Sequence, residues 1–365
     1  MNKILTLFIL LFVCFFSFSC KKSSNSAGGT VNNIVIEGEF IPNFGYESIC
    51  KTTQNNIAIV AQKSYPGFLY VAMMNQNLCL LWQKTFSDQI NQAGGITGTS
   101  DGGVIIACNQ LVSDSIEAAN YCLDIRKLNS NGGLQWEKKY SFFSFGANDG
   151  PTYPIRETSD KGFIIGVLDT LSDKRLYPAL FRINAQGDSL WSKTVHGFCN
   201  CIVIDVRVAP DGGFLVSGPC LVYKTDSLGN YQWFNDATQA TTLQVFQDGS
   251  FVAIGESDLV HQYLQLCKVD ANGNKIWEQT YTMDQAMYVG NVCMSNDSGY
   301  MFTYGKSSNS VWMVKTDAQG NKLSETSLND YGTWGIVQIQ NKYYCYNYDY
   351  NTSTHYYNLV VKIVE

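Results

Sequence analysis

The sequence predicts an all-β fold: a seven-bladed β-propeller of four-stranded antiparallel blades, closed by an N-terminal strand that completes the last blade. Three observations predict it. A short phrase recurs along the chain: an Asp-Gly-Gly type of turn, a β-rich run, an Asx-x-x-Gly turn, and a tryptophan four residues beyond that glycine. The apolar runs between turns are short, rich in β-branched and aromatic residues and bounded by glycine, as in Phe163-Ile164-Ile165-Gly166 and Phe214-Leu215-Val216-Ser217. No long segment carries a helical period, and a unit of about 45 residues is the size of one four-stranded blade.

The elements follow in order. Lys3 supplies a positive start, Ile4 to Phe18 an apolar stretch too short to span a bilayer comfortably, and Ser19-Cys20 a small residue before a cysteine. Residues 1–19 resemble a bacterial lipoprotein signal peptide, which implies that Cys20 carries a lipid (palmitate) anchor. The segment from Cys20 to Asn32 is small, polar and aperiodic, the composition of a flexible tether. It could hold the body up to roughly 40 Å from a membrane. Residues 33–365 form the propeller.

Within it the first turn appears at Asp101-Gly102-Gly103, Asp160-Lys161-Gly162, Asp211-Gly212-Gly213, Asp248-Gly249-Ser250 and Asp297-Ser298-Gly299, with weaker copies at Asn55-Asn56 and Asn341-Lys342. Trp136, Trp191, Trp233 and Trp277 follow Gly132, Gly187, Gly229 and Gly273, while Trp82 and Ser324 hold that place in degraded copies. Each unit reads as strand A into the first turn, B out of it, C ending in Lys-x-Asp or similar, and D bearing the tryptophan. Lys224-Thr225-Asp226, Lys268-Val269-Asp270 and Lys315-Thr316-Asp317 mark the end of C. The last unit lacks a D strand, which Ile34 to Phe40 can supply, removing an exposed edge.

The repeats resemble those of bacterial propellers of the pyrroloquinoline-quinone-like, tryptophan-docking type, and the Asp-Gly-Gly and Asn-Gly-x-x-Trp repeats of exported Bacteroidetes proteins. That resemblance implies tryptophans wedged between blades and carries no activity. Quinone-dependent relatives use adjacent cysteines, and this chain has no Cys-Cys step.

The A-to-B and C-to-D connections are tight turns on one face, whereas length varies in the connections on the other. The long ones are Gln110 to Asn120, Ser141 to Thr152, Leu171 to Tyr177, Val195 to Cys201 and Asp349 to Tyr356. They make that face the expected binding face, with Phe143, Phe145, His196, Tyr331, Trp334, Tyr350 and His355 as ligand candidates. Tyr344, Tyr346 and Tyr348 alternate along one strand and read as packing between blades.

Chemistry is sparse. The three histidines form no metal-spaced pair, the Cys199-Asn200-Cys201 and Cys220 group reads as a bridge or buried thiols, and Asp270-Ala271-Asn272-Gly273-Asn274 reads as a hairpin turn rather than a calcium loop. No metal, cofactor or catalytic residue is assigned. Twenty-five basic against 31 acidic residues, without a basic stripe, argue against nucleic acid. Setting aside Cys14 and Cys20, the other ten of the twelve cysteines read as mostly buried thiols with one or two bridges.

The expected function is that of a monomeric, non-catalytic binding or scaffolding lipoprotein of the cell envelope, on the periplasmic side of the outer membrane, recognising a protein or glycan. The alternatives are an envelope enzyme acting on a glycan, with Asp149, Asp173 and Asp349 as the available carboxylates, and an outer-membrane assembly factor.

Overall fold

The computed structural model describes residues 33–41, 49–63, 67–113, 120–141, 153–170, 176–195, 203–218, 221–235, 240–256, 263–282, 286–306, 311–328 and 335–364. The leader, Cys20 and the tether lie outside the described residues. The described chain is all β. It opens with β1 (Asn33–Ile41), β2 (Ile49–Lys51), β3 (Ile57–Lys63), β4 (Gly67–Met74), β5 (Leu80–Gly98), β6 (Val104–Ser113), β7 (Asn120–Leu128) and β8 (Leu134–Tyr140). A second sheet holds β9 (Ile155–Glu157), β10 (Phe163–Thr170), β11 (Leu176–Ile183) and β12 (Ser189–Thr194). A third holds β13 (Asp205–Val208), β14 (Phe214–Gly218), β15 (Leu221–Thr225) and β16 (Tyr231–Asn235). A fourth holds β17 (Thr242–Val245), β18 (Phe251–Glu256), β19 (Tyr263–Val269) and β20 (Lys275–Thr282). A fifth holds β21 (Ala286–Met294), β22 (Tyr300–Lys306), β23 (Val311–Thr316) and β24 (Lys322–Ser327). The last strands, β25 (Ile336–Ile339), β26 (Lys342–Asn351) and β27 (Tyr356–Val364), rejoin the first sheet through β1.

This corrects the expected count of seven four-stranded blades. The strands form five hydrogen-bonded sheets, four of four strands and one of eleven. The cause is continuity at two places. Strand β5 runs for 19 residues without a turn, pairing with β4 up to Ile90 and with β6 from Ile90 onward. Strand β1 pairs with β27 along most of its length and with β3 at Phe40 and Ile41.

Part of the core lies within the eleven-stranded sheet, around Tyr344 and around Ile106, and the rest lies between successive sheets. Because side chains alternate along a strand, Phe163 and Ile165 pack toward the preceding sheet while Ile164 packs toward the following one. Phe214 and Val216 likewise oppose Leu215.

The recurring phrase is the joint between units. Each tryptophan ring lies against the glycine of the next C-to-D turn: Trp82 on Gly132, Trp136 on Gly187, Trp191 on Gly229, Trp233 on Gly273 and Trp277 on Gly320. A Cβ on Gly273 would come within 2.9 Å of the Trp233 ring, and its φ of +87° is a conformation that L side chains rarely adopt. Behind the ring stands the aromatic residue that opens the next B strand, as in Trp233 with Phe251 and Trp277 with Tyr300, at centroid separations of 6.2 and 5.8 Å. Indole N–H groups fix two of the rings, Trp82 donating to the Ser130 carbonyl at 2.8 Å and Trp136 to that of Ala185 at 3.1 Å. Ser324 needs no such ring, because the unit after it takes β1 as its outer strand and has no C-to-D hairpin. At that junction Tyr344 donates to the Gln76 carbonyl at 2.8 Å, tying β26 to the first C-to-D turn.

The aspartates have two further tasks. In the first turn Asp101, Asp160 and Asp211 accept the N–H two residues on, and the aspartate meets a cation from strand C: Lys127 on Asp101 at 2.8 Å, Arg182 on Asp160 at 2.6 Å, Lys224 on Asp211 at 2.7 Å and Lys315 on Asp297 at 2.8 Å. In the second turn Asp226, Asp270 and Asp317 each accept the N–H groups two and four residues on. Asp270 also receives the Asn274 amide, so both its oxygens serve the hairpin. Cys79 is disulfide-bonded, while the other six described cysteines are buried thiols.

Two outcomes follow from these joints. Trp233→Ala is expected to cost about 3 kcal/mol and Gly273→Ala at least about 1 kcal/mol, whereas Ser324→Trp should stay within about 0.5 kcal/mol of the native chain. Urea midpoints measure all three, and a native midpoint for Trp233→Ala would contradict the joint. The second outcome concerns acid. Partial burial pushes the Asp101 carboxyl up, but the bonds from Lys127, Thr99 and the Gly103 N–H outweigh it and hold it at about 2. Bonds from Lys315 and then Ser295 hold Asp297 at about 2 as well. A carboxyl lowered on folding stabilises the native state above its unfolded value, about 4, and that stability is lost as pH falls toward 2. Asp101→Asn should therefore flatten the pH dependence of the urea midpoint across this window, by no more than about 1 kcal/mol given solvent screening. A slope identical to the native chain's would refute it.

Candidate functional site

Two places bring polar and aromatic side chains together. The first is the hairpin joining β26 to β27, the described part of the long-connection face. Tyr350 pairs with Tyr357 and Asn351 with Tyr356, the Tyr350 and Tyr357 rings lying 5.1 Å apart. Asn351 accepts the Ser353 N–H at 2.9 Å, and the His355 N–H donates to the Asn351 carbonyl at 2.8 Å. This turn holds His355 at a φ of +61° and sets its Nδ1 3.3 Å from the Tyr350 hydroxyl. Tyr350 and Tyr356 are 43% and 46% exposed, so the hairpin offers aromatic surface beside an imidazole. Tyr344, Tyr346 and Tyr348, on the same strand, are fully buried. Thus one strand turns from core to surface at Asp349. Phe143, Phe145, His196, Tyr331 and Trp334 lie outside the described residues, as do Asp149 and Asp173.

The second place was not anticipated from sequence. The innermost strands, β2, the end of β5, β9, β13, β17, β21 and β25, surround a cavity of about 370 Å³. Its walls are the last residues before the tight turns. Arg156, Arg207 and Gln244 each stand two residues before the turn, and Thr97 holds the same place on β5. Lys51 and Gln338 stand nearby, and no carboxylate is among the described residues lining the cavity.

One carboxylate lies just behind the wall. Asp205, with 1% of its side chain exposed, accepts Arg156 Nη2 at 2.9 Å, Arg207 Nε at 2.8 Å and the Leu243 N–H at 3.0 Å. It belongs to a series. At the same position in later units Thr242 accepts the Val292 N–H at 3.1 Å and Asn291 accepts that of Ile336 at 2.5 Å. These side chains satisfy donors on the inner edge of each neighbouring sheet, which would otherwise be left unpaired beside the cavity. The signal in sequence was faint: a polar residue four positions before the turn, in three units of differing residue type.

A separate buried pair lies between β5 and β7. Arg126 and Asp124 are both fully buried and meet at 2.6 Å, with Asp88 at 2.8 Å and the Phe86 ring 4.4 Å from the guanidinium. Burial raises the Asp124 carboxyl to about 6 against the opposing bonds from Arg126. The guanidinium also meets Glu137 at 3.6 Å. The pair reads as structural. Among the described residues no group of three metal-ligating side chains converges.

With this geometry in view, the chain can be set beside known proteins. No family model and no curated protein matches it. Among solved structures, the Neurospora crassa Pan2 WD40 domain aligns with a TM-score of 0.57 at 11% identity, over 87% of this chain and 89% of that one. A protein of unknown function from Bacteroides caccae aligns at a TM-score of 0.47 and 10% identity, over 74% of this chain and 93% of that one. The first likeness and the sheet arrangement make this chain a β-propeller of WD40-like architecture. At such identity the likeness concerns the fold alone.

Asp205 yields a further expectation. Asp205→Ala leaves two guanidiniums and an edge N–H without their shared acceptor and should destabilise the protein by about 3 kcal/mol. Thermal or urea unfolding checks it, and a loss under about 1 kcal/mol would show that the arginines find other compensation.

Proposed function

We propose that this protein is a non-catalytic binding or scaffolding component of the cell envelope, recognising a protein or glycan through the long-connection face. In this reading it is an outer-membrane lipoprotein held at the periplasmic face by Cys20, with the propeller as a rigid platform. The observation that carries it is the division of labour between the faces. Every residue of the recurring phrase is consumed by a hairpin, an ion pair or a joint between units, so recognition is left to the connections where the phrase is absent. The described one of these presents Tyr350, His355 and Tyr356 to solvent, the aromatic and planar polar groups that stack on sugars or anchor protein contacts. The β-propeller fold is commonly used for binding or scaffolding. The resemblance of residues 1–19 to a lipoprotein signal supports the envelope location.

The test uses the full chain in detergent, immobilised and challenged with envelope extract and with a glycan array. A specific protein or glycan should be retained, and the double change Tyr350→Ala with His355→Ala should reduce retention roughly ten-fold or more. Retention indifferent to these changes and to substitution of Phe143, Tyr331 and Trp334 would count against the long-connection face. Cys20→Ser should move the protein from the membrane fraction to the soluble one.

A further inference from the structure

We propose that the outer edge of β16 takes up an extended, uncharged peptide segment of a partner protein, which adds a strand to the sheet of β13 to β16. The proposal stands apart from the long-connection face. It rests on the rim.

Charge is the first observation. Among the described strands, β8, β12, β16, β20 and β24 each end a sheet at the rim. A terminal strand presents unpaired N–H and C=O groups that invite another strand, and charged side chains, lysine above all, are the usual guard against it. Four of the five carry that guard: Lys138 and Lys139 on β8, Lys193 on β12, Lys275 on β20 and Lys322 on β24. The fifth, Tyr231-Gln232-Trp233-Phe234-Asn235, has no charged residue, and among the described residues it pairs only with β15.

Surface is the second. Tyr231 and Phe234 are each 54% exposed, and Leu228, in the turn before them, is 62% exposed. The rings run outward from the core: Tyr223, buried in the cluster that holds Trp191, lies 5.2 Å from Tyr231, which lies 6.5 Å from Phe234. Because Tyr223 pairs with Phe234 and Thr225 with Tyr231, both exposed rings share one face of the sheet. That face meets the preceding unit, where Trp191 lies on Gly229 and Lys193 donates to Asn230 at 2.6 Å. A strand laid beside β16 would bond its main chain to the edge and set alternate side chains against the two rings.

The third observation selects the occupant. A second copy could reach this edge only rim to rim. Five residues span about 17 Å and a sheet is about 10 Å thick, so the strip shared by two such edges falls far below the roughly 1,000 Å² that a lasting dimer needs. A net charge of −6 on each copy also opposes the approach. A peptide segment follows the twist of the edge and requires no second rigid surface to match. A glycan could stack on the rings but makes no use of the main-chain edge. An edge without charge suits a segment without charge, since an unpaired charge pressed against Tyr231 and Phe234 would be desolvated at a cost.

Fluorescence polarisation of the full chain in detergent with fluorescein-labelled Thr-Val-Tyr-Val-Tyr-Val-Thr tests the proposal. Saturable binding is expected. N-methyl groups on the central valine and on the tyrosine before it, one on each edge of the peptide, should weaken it about ten-fold, because they remove main-chain donors and keep the side chains. Phe234→Lys, which puts the missing guard on an exposed position, should also weaken it about ten-fold while keeping the native urea midpoint. Tyr231→Ser should weaken it too, and Leu323→Lys on β24 should leave it unchanged. Absence of saturable binding, equal binding of the methylated peptide, or native affinity in Phe234→Lys overturns the proposal. A concentration-dependent dimer in sedimentation velocity that Phe234→Lys abolishes, without peptide binding, overturns it in favour of a second copy. Glycan-array retention that Phe234→Lys abolishes, without peptide binding, overturns it in favour of a sugar.

Discussion

The constraint on which the rest of this structure depends is that no unit buries its own apolar surface. A small antiparallel sheet has two apolar faces and no interior, so every unit must be covered by its neighbours. The tryptophan laid on the next unit's glycine meets that need at the rim, where a sheet is widest and its neighbours diverge most. Only a flat, large side chain fills the wedge, and only a residue without Cβ leaves room for the ring to lie on backbone. The aromatic residue opening the next B strand completes the clamp. Two turns far apart in sequence are thereby made to report on each other's position.

This dependence explains how much of the fold was legible. Turn chemistry, β content and the wedging tryptophans were readable because each requires particular residue types at fixed spacing. The sheet count was not. It turns on whether hydrogen bonding passes from one unit to the next, and at β5 it does so at Ile90, with the register to β6 shifting across Gly94 and Gly95. There a Cβ on Gly94 would come 2.3 Å from the Ala107 carbonyl oxygen and one on Gly95 2.4 Å from that of Tyr153, so the glycines let the strand bend beneath its neighbours without breaking into a turn. That glycine pair occurs once and has no counterpart in other units, so periodicity could not reveal its effect. The degraded copies were informative for the opposite reason. Ser324 departs from the phrase where the neighbouring unit offers no hairpin to receive a ring, and Leu78 adopts a φ of +58° where glycine is usual while joining the cluster around Tyr344.

The candidate site was legible only in part, and the physical reason lies in how selection of residue type works along an inner strand. Residues at the rim face identical surroundings in every unit and so repeat. Residues facing the axis meet a shared space instead of a matching neighbour, so Cys50, Thr97, Arg156, Arg207, Gln244, Cys293 and Val337 occupy equivalent positions with little in common. Among them the arginines could not be recognised as a pair from sequence, being about fifty residues apart. By contrast Tyr350 and His355 were visible because they lie at the loop end of a strand along which tyrosines alternate.

The axis and the rim therefore solve the same edge problem by opposite means. Each inner strand presents unpaired backbone donors toward the centre, where there is too little space for a tryptophan and too much for bare contact. Short polar side chains span the gap: Thr242 and Asn291 do so as neutral groups, and Asp205 as an anion. A neutral acceptor satisfies one donor and asks nothing further. An anion in the same place must be balanced, and the guanidiniums that balance it project into the central space. The charged character of the axis thus originates in a structural requirement at one junction, where aspartate stands in place of threonine or asparagine.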